Sequence, residues 1–332
     1  LLDPQKHYHH PNDSTVPCGI VIKDPAIKGR TYTRKLVEGI VSMPAGKIAL
    51  IWGPPGTGKT RIGASIVDSV CNFTPGAKCL VVAPGNAAGQ SLAYRLEKLG
   101  LKVVKILSDS WKRKLDHEDV LDIQSLITYE GKHMKTGKAV EWYNENKKLE
   151  KLRGRERRQA RQQCDYLWEC LVEDIVADAD VVISTVINAA KIKNIIFDLV
   201  LIDEASQLSE PETIIVFIRA RRACLIGDHK QMQPHIGKKR KVYAMGISLF
   251  ERLIRIIGEE NIPILDIQYR SDARLMWSYD WAYNGRVTSS DNAPSEGLFE
   301  CSHPELLIHV DDDMNKLPKL LEADLVSQVV GK

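Results

Sequence analysis

Residues 47–60 of this 332-residue chain have the sequence KIALIWGPPGTGKT, and this stretch decides the fold. It begins with an apolar run typical of a buried strand, and residues 53–60 then match the pattern G-x-x-x-x-G-K-[ST]. Residues 60–70 have the apolar spacing of a helix. A glycine-rich loop in this setting cradles phosphates, because successive backbone N–H groups point inward and the helix N-terminus adds positive charge. The stretch therefore predicts a nucleotide-binding α/β domain.

The same alternation of apolar strand and helix recurs along the chain. Helical patterns lie at residues 87–99 and 247–257, and further strand-like runs lie at residues 78–83, 102–107, 180–184, 197–202, 222–226 and 262–267. Nearly continuous apolar strands that alternate with helices are typical of a mostly parallel sheet covered on both faces. We therefore expect an α/β fold with one large parallel sheet.

The composition excludes several classes of protein. With 44% hydrophobic and 27% charged residues, the chain is neither disordered nor fibrous, and its apolar runs are far shorter than the about 20 residues of a membrane span. Seven cysteines without a C-x-x-C pair favour reduced thiols, and so a cytoplasmic or nuclear protein, over a disulfide framework or zinc site. His7, His9 and His10 are either metal ligands or, as we expect, part of a solvated terminal tract.

Positive charge is concentrated in one segment. The formal net charge is +3, but residues 134–163 contain ten Lys or Arg and four Glu, a balance of +6. This segment belongs to residues 108–179, where the alternation of strands and helices stops and helix-favouring residues predominate. An interruption of that length predicts a basic helical insertion. Its charge is either a solvated helix face or a surface for a partner made of phosphates.

Three further motifs follow predicted strands. Asp203 and Glu204 come after an apolar run, Gln231 follows the turn GDHKQ, and Arg270 ends the sequence QYR. Ligands of open parallel sheets bind at the carboxyl ends of the strands, so we expect these motifs to lie together with the glycine-rich loop. Such an arrangement supplies the parts that phosphoryl transfer needs.

Each residue of this set has a predicted role in a site for ATP and Mg²⁺. Lys59 would contact the β- and γ-phosphates, and Thr60 and Asp203 would hold Mg²⁺. Glu204 would deprotonate the attacking water, Gln231 would bind the γ-phosphate or that water, and Arg270 would act as an arginine finger. The loop itself would bind the phosphates through Gly53, Pro54, Pro55, Gly56, Thr57, Gly58, Lys59 and Thr60.

The order of the motifs resembles that of superfamily 1 helicases, and most closely the group typified by the nonsense-mediated-decay RNA helicase, which also includes senataxin-like and RNA-silencing helicases. The shared motifs are, in order, GPPGTGKT, VVAPGNAA, VVIST, LIDEAS, GDHKQMQP, SLFERL and QYR. This resemblance implies a RecA-like P-loop NTPase fold and an ATP-driven motor that moves 5′ to 3′ along a single nucleic-acid strand, RNA rather than DNA. It also implies that Tyr269 lies near the base of ATP and that five residues touch the strand: Pro84, Gly85, Asn86, Ser184 and Thr185.

The resemblance also divides the chain. It implies an N-terminal segment (residues 1–45), a first RecA-like domain (46–107 and 180–267), the basic insertion (108–179) and the start of a second RecA-like domain (268–332). The chain begins with Leu1 and ends before the last two motifs of the family, so we expect a fragment of a longer protein. An Asn-x-x-Gln segment that reads adenine is not evident before Gly53, which leaves the base selectivity open.

Two other functions compete with the helicase interpretation. An AAA-type ATPase shares the loop GPPGTGKT, but the motifs GDHKQ and QYR disfavour it. A nucleic-acid-binding scaffold with a decayed ATPase is disfavoured by the intact set of predicted catalytic residues. The run KKRK at residues 238–241 is either a nuclear-localisation signal or a solvated loop that contacts phosphate.

Overall fold

The computed structural model describes residues 4–13, 19–106, 122, 137–149, 151–190, 192, 194–235 and 246–291. The run at residues 238–241 lies outside these ranges. Contacts divide the chain into two units: Leu1–Pro54 with Gly58–Leu265, and Pro55–Thr57 with Asp266–Lys332. This division falls two residues before the domain boundary that the sequence suggests, and it leaves the insertion within the first unit.

The first unit is built on a six-stranded sheet in which every pair of neighbours is parallel. The strand order is β1-β6-β5-β2-β4-β3. Every strand is fully buried except at the last residue of β3, as expected for a sheet that is covered on both faces. The strands are β1 (Ile48–Trp52), β2 (Cys79–Val82), β3 (Val103–Ile106), β4 (Val181–Ser184), β5 (Leu199–Ile202) and β6 (Ala223–Gly227).

Helices precede, connect and follow the strands of this sheet, and the described helices of eight or more residues are α1 (Thr31–Val41), α2 (Lys59–Phe73), α3 (Asn86–Lys98), α4 (Lys138–Lys148), α5 (Gly154–Asp178), α6 (Glu210–Phe217) and α7 (Leu249–Ile257). Short helices lie at Pro4–His7, Pro25–Lys28, Val186–Ala189 and Trp277–Asp280, with 3-10 turns at Pro11–Asp13, Ala205–Gln207, Glu259–Asn261, Ala273–Leu275 and Trp281–Tyr283. The apolar faces of α1, α2 and α3 pack with β1, β2 and β5 in one core. Of the described helices, none is long and apolar enough to cross a membrane.

The topology brings the predicted motifs to one edge of the sheet. Because all six strands are parallel, their carboxyl ends meet at the same edge. Gly53 follows β1 there, Asp203 follows β5 and Asp228 follows β6. Since β6 lies between β1 and β5, these three segments are neighbours.

The two helices of the insertion that the structure describes, α4 and α5, pack against each other. Trp142 is buried, and its ring lies 5.5 Å from that of Trp168. The Lys78 ammonium, just before β2, donates to the carbonyl oxygens of residues 176, 177 and 179, the last two at 2.6 and 2.8 Å. A cation at this place satisfies carbonyls that the helix leaves unpaired at its C-terminus, so the lysine anchors α5 to the sheet.

The predicted strand at residues 262–267 is divided in the structure. Its first part lies beside β1, where Trp52 N–H donates to Pro263 O at 2.9 Å and Leu265 N–H donates to Trp52 O at 2.8 Å. Its end, β7 (Ile267–Gln268), pairs in parallel with β8 (Thr288–Ser289) in the second unit. The expectation of one continuous strand is therefore wrong, because two different partner strands pair with its two halves.

Candidate functional site

The backbone conformation of the glycine-rich loop requires glycine at several of its positions. Gly56 and Gly58 have φ values of +73° and +87°, in the region that favours glycine. At Gly53, a Cβ atom would lie 2.3 Å from Cγ of Lys59. The missing side chain therefore lets the lysine fold back across the loop, where its ammonium donates to Gly53 O at 2.9 Å.

Lys59 is paired with Glu204, the predicted general base. Its side chain is 10% exposed, and Nζ lies 3.4 Å from Oε1 of Glu204. The lysine lies at the start of α2 and the glutamate just after β5, so the parallel sheet brings the two together. A buried ammonium with one carboxylate and one carbonyl partner is arranged to donate hydrogen bonds to the oxygens of a phosphate group.

Asp203 and Thr60 form the predicted metal pair, with 3.3 Å between Thr60 Oγ1 and Asp203 Oδ2. Burial and the neighbouring charge of Glu204 raise the pKa of Asp203 to about 6, although Lys59 and hydrogen bonds from Glu204 N–H and Thr60 oppose the rise. Hydroxyl and carboxylate oxygens are the ligands that Mg²⁺ prefers. These residues fit the metal, since a cation would offset the penalty of a buried carboxylate.

Glu204 is held in a strained conformation. Its φ of 53° and ψ of 43° are left-handed, which is uncommon for a residue with a side chain. Its Oε2 atom is buried and accepts no hydrogen bond from any described residue. Strain of this kind is concentrated at active sites, and an unsatisfied carboxylate oxygen is a ready acceptor for a water molecule.

Gln231 is fixed by a residue that the sequence analysis treated as part of a turn. Its Nε2 atom donates to Oδ2 of Asp228 at 2.6 Å. Asp228 is fully buried, and its Oδ1 atom accepts from the indole Nε1 of Trp52 at 2.9 Å. Trp52 directly precedes the glycine-rich loop, and this position is the sequence signal that could have identified it as a site residue. Neither Asp228 nor Trp52 was predicted as a site residue.

Tyr269 and Arg270 lie in the second unit, against the part of the loop that belongs to it. Tyr269 N–H donates to Gly56 O at 2.9 Å. A Cβ atom on Gly56 would lie 2.8 Å from Cβ of Arg270, so a glycine is required for this approach. Gln268, fully buried, holds the turn by accepting from the N–H groups of Arg270 and Ser271 at 2.9 and 3.0 Å. This role of Gln268 is not visible in the sequence motif QYR, in which only Tyr269 and Arg270 were predicted as site residues.

The residues predicted to contact nucleic acid lie after β2 and at the end of β4. Gly85, Ser184 and Thr185 line one small cavity together with Lys105. Ser184 Oγ is buried and has no hydrogen-bond partner among the described residues. Pro84 precedes this group, and Asn86 begins α3. The structure thus brings the two predicted segments together at the same edge of the sheet.

The sequence of the chain is similar to a known family model and to ATP-dependent helicases. A family model described as an AAA domain matches residues 33–151 and 131–239, which together span more than half of the chain. The ATP-dependent helicase NAM7 of Saccharomyces cerevisiae is 36% identical over 69% of the chain, and the ATP-dependent helicase upf1 of Schizosaccharomyces pombe is 32% identical over 81%. The chain belongs to the superfamily 1 helicases of the nonsense-mediated-decay group.

Other relatives of this helicase chain belong to the same group of proteins. A regulator of nonsense transcripts 1 homolog from Neurospora crassa is 32% identical over 81% of the chain, which covers 24% of that relative's length. The chain covers 23% of NAM7 and 29% of upf1, so it spans roughly a quarter of these curated relatives. An arterivirus nonstructural protein 10 helicase, solved with DNA, aligns over 75% of the chain and 43% of its own at 12% identity and a TM-score of 0.41.

Proposed function

We propose that the protein to which this helicase chain belongs is an ATP-dependent nucleic-acid helicase or translocase that hydrolyses ATP with Mg²⁺. The observation that carries this proposal is the buried cluster at the carboxyl edge of the sheet, where Lys59 lies 3.4 Å from Glu204 and Thr60 lies 3.3 Å from Asp203. The phosphate cradle, the metal ligands and the water-activating glutamate are thereby supplied by the segments that follow two strands, β1 and β5.

The contacts of Lys59 support a specific order of events. Bound triphosphate offers Lys59 several anionic oxygens in place of Gly53 O and Glu204. Glu204 then accepts a proton from the attacking water, whose oxygen forms a bond to the γ-phosphorus while the bond to the ADP oxygen breaks. Mg²⁺, held through Thr60 and Asp203, would neutralise charge on the phosphate oxygens. ADP and inorganic phosphate are the products.

A single nucleic-acid strand is the proposed partner, RNA rather than DNA. The relatives named as regulators of nonsense transcripts support RNA, and the resemblance supports movement from 5′ to 3′. Within the chain, the support is the basic N-terminal part of α5, where Arg155, Arg157 and Arg158 are exposed. Trp142 and Trp168 pack within the insertion, whereas Tyr166 is 62% exposed and available to stack on a base.

A decayed ATPase scaffold is not favoured. Such a chain would be expected to lose some of the residues that have no use without hydrolysis. Here Glu204 is retained in a strained conformation with an unsatisfied oxygen, a costly arrangement that contributes nothing to simple binding.

The test is ATP hydrolysis by the full-length protein, with and without Mg²⁺, over a titration with single-stranded RNA and DNA of one sequence. We expect hydrolysis only with Mg²⁺, stimulated by nucleic acid, and more strongly by RNA. Lys59→Ala would weaken nucleotide binding, whereas Lys98→Ala, an exposed lysine on α3, would serve as the matched control. Hydrolysis that ignores both Mg²⁺ and nucleic acid would contradict the proposal.

A further inference from the structure

We propose that Asp228 and Trp52 are positioning residues for hydrolysis, because together they fix which end of the Gln231 amide is turned toward a ligand. The inference rests on the proposed ATPase function. It goes beyond that function by assigning two residues to the orientation of a third. The hydrogen bonds of Asp228 with Trp52 and with Gln231 join β1, which precedes the glycine-rich loop, to the turn that follows β6.

Asp228 is the centre of this connection. It is fully buried and accepts hydrogen bonds from Trp52 Nε1 at 2.9 Å, from Lys230 N–H at 3.1 Å and from Gln231 Nε2 at 2.6 Å. A buried carboxylate is stable only when its oxygens are satisfied in this way. These donors therefore hold the carboxylate, and the carboxylate holds the amide.

Trp52 is itself fixed in place. The side chain is fully buried, and its ring lies 4.7 Å from the imidazole of His229. Its backbone is paired on both sides, with β6 and with the segment at Pro263 and Leu265. The indole N–H therefore has little freedom to leave Asp228, and the position of the Asp228 carboxylate is determined by the sheet.

The orientation of the amide has a chemical consequence. Because a carboxylate accepts hydrogen bonds, the end of the Gln231 amide that faces Asp228 is the NH₂ group, and the carbonyl oxygen Oε1 is turned away. A carbonyl oxygen accepts a hydrogen bond from water but not from a phosphate oxygen that carries no hydrogen. Of the two roles that the sequence left open for Gln231, this orientation favours orienting the attacking water.

The place of Gln231 at the nucleotide edge is fixed by the same strand. Gly53 N–H donates to Gly227 O at 2.9 Å, so the end of β6 is bonded to the start of the glycine-rich loop. On its other side, a Cβ atom on Gly227 would lie 2.9 Å from Ser206 N, just after Glu204. The turn that carries Gln231 thus starts between the phosphate loop and the predicted general base.

Asp228→Asn separates positioning from folding, because the substitution keeps the shape of the side chain. The carbonyl oxygen of the new side chain can still accept from Trp52 and the Lys230 N–H, but its NH₂ group would face the Gln231 NH₂ group. The Gln231 amide would turn over, so that Oε1 faces residue 228. We expect kcat to fall about a hundredfold, as for a reacting group misplaced by about an ångström, with KM for ATP unchanged.

Trp52→Phe is the second variant, since phenylalanine keeps an aromatic ring beside His229 but removes the N–H donor. We expect kcat to fall about tenfold, less than for Asp228→Asn, because Lys230 N–H still donates to the same carboxylate oxygen and the Gln231 amide is not turned over. Trp142→Phe is the matched control, because Trp142 is a buried tryptophan that packs on another ring in the insertion. It should leave kcat and KM unchanged.

The experiment measures kcat and KM for ATP in the full-length protein, the affinity for ADP, and the ¹⁵N-labelled side-chain NH₂ resonances of Gln231. The role is supported if Asp228→Asn lowers kcat alone and shifts those resonances. It is overturned if kcat is unchanged, or if KM and the ADP affinity change as much as kcat, which would indicate a structural role. A wild-type protein without ATPase activity would overturn the proposed function, and shifted resonances would then leave the network as purely structural.

Discussion

The two charged regions of this molecule are organised in opposite ways. At the carboxyl edge of the sheet the charges are few, buried or half-buried, and mutually paired, as for Lys59 with Glu204. In the insertion they are many and mostly exposed, and ion pairs such as Arg161 with Asp165, 3.2 Å apart, are exposed as well. Both regions are candidates for binding phosphates.

The difference indicates two ways of recognising phosphate. Buried charges act at short range and require precise geometry, so single substitutions at the sheet edge are expected to have large effects. Exposed charges are screened by salt and act together, so substitutions in the insertion are expected to have smaller effects that depend on ionic strength. Four predictions test this contrast.

The largest effect is expected from Glu204→Gln at the buried edge. Loss of the general base should lower ATP turnover by about 10²–10⁴-fold while nucleotide binding is retained. Steady-state hydrolysis together with equilibrium binding of ATP would measure both quantities. Glu97→Gln, which neutralises an exposed carboxylate on α3, is the control and should leave turnover unchanged. Near-normal hydrolysis by Glu204→Gln would remove the glutamate from the mechanism.

The insertion is tested by replacing its arginines at positions 153, 155, 157 and 158 with glutamine. Single-strand binding should weaken, and the slope of log K against log salt should become shallower by about 0.7 for every phosphate that the variant no longer neutralises. The affinity should be measured at several salt concentrations. The control makes the same charge change on α1, α3 and the helix before α1, at Lys28, Arg34, Lys35 and Lys98. An unchanged slope in the insertion variant would show that these arginines form a solvated helix face and do not contact phosphates.

The raised pKa of Asp203 predicts that the stability of the protein depends on pH. Its pKa, about 6 in the fold, lies above its ordinary value of 3.8, because burial and Glu204 disfavour the charged form. The folded state therefore keeps a proton that the unfolded state releases, and stability declines as pH rises from about 4 to about 6. Above that range, Asp203→Asn should be more stable than the wild type by about 3 kcal/mol.

Denaturant unfolding from pH 4 to pH 8, without nucleotide or divalent cations, measures this difference. The exposed pair partner Asp165, changed to asparagine, is the control and should shift stability little at any pH in this range. If Asp203→Asn followed the wild type in parallel over the whole range, the raised pKa would be wrong.

The smallest effect is expected at the ion pair between Arg61 and Asp24. The exposure of this pair lies between that of the charges at the sheet edge and that of the charges in the insertion. The Arg61 guanidinium donates to both Asp24 oxygens, at 2.6 and 2.7 Å, and its side chain is 44% exposed. Burial raises the pKa of Asp24, but hydrogen bonding and the charge of Arg61 outweigh burial and hold that pKa below 3.8. The pair thus contributes stability above pH 3.8 that is lost as pH falls through the lower, folded value.

We expect Arg61→Gln to destabilise the protein by less than about 1 kcal/mol at pH 7, since exposure screens the pair, and by still less in high salt. Urea unfolding at pH 7 and pH 3 would measure the change. Arg34, equally exposed but 3.8 Å from Glu38, gives the control Arg34→Gln. Equal effects of the two variants would show that the bidentate geometry adds nothing.

Much of the fold is predictable from local pattern. The predicted strand at residues 78–83 forms β2 (Cys79–Val82), and the predicted helix at 87–99 forms α3 (Asn86–Lys98). These elements depend on near neighbours, because apolar periodicity and turn residues act over a few positions. The run at residues 262–267 could not be assigned correctly, since its two halves pair with strands that are distant in sequence.

The candidate site is predictable only in its parts. Lys59, Asp203 and Gln231 were identified from motifs, because the chemistry of each residue type is visible in sequence. Asp228, Trp52 and Gln268 were not, because a buried aspartate, tryptophan or glutamine has no role until its partners are known. Their roles arise from hydrogen bonds in the folded chain.

By itself, the sequence determined the phosphate loop: the alternation of strand, glycines and helix in residues 47–60 is a local property, and glycine's freedom at Gly56 and Gly58 is fixed by its lack of a side chain. Only the tertiary structure decided that Thr60 meets Asp203, 143 residues away, and that Trp52 meets Asp228, 176 residues away. These contacts follow from the order β1-β6-β5 at the edge of the sheet. Strand order is set by packing of the whole core, which no local pattern contains.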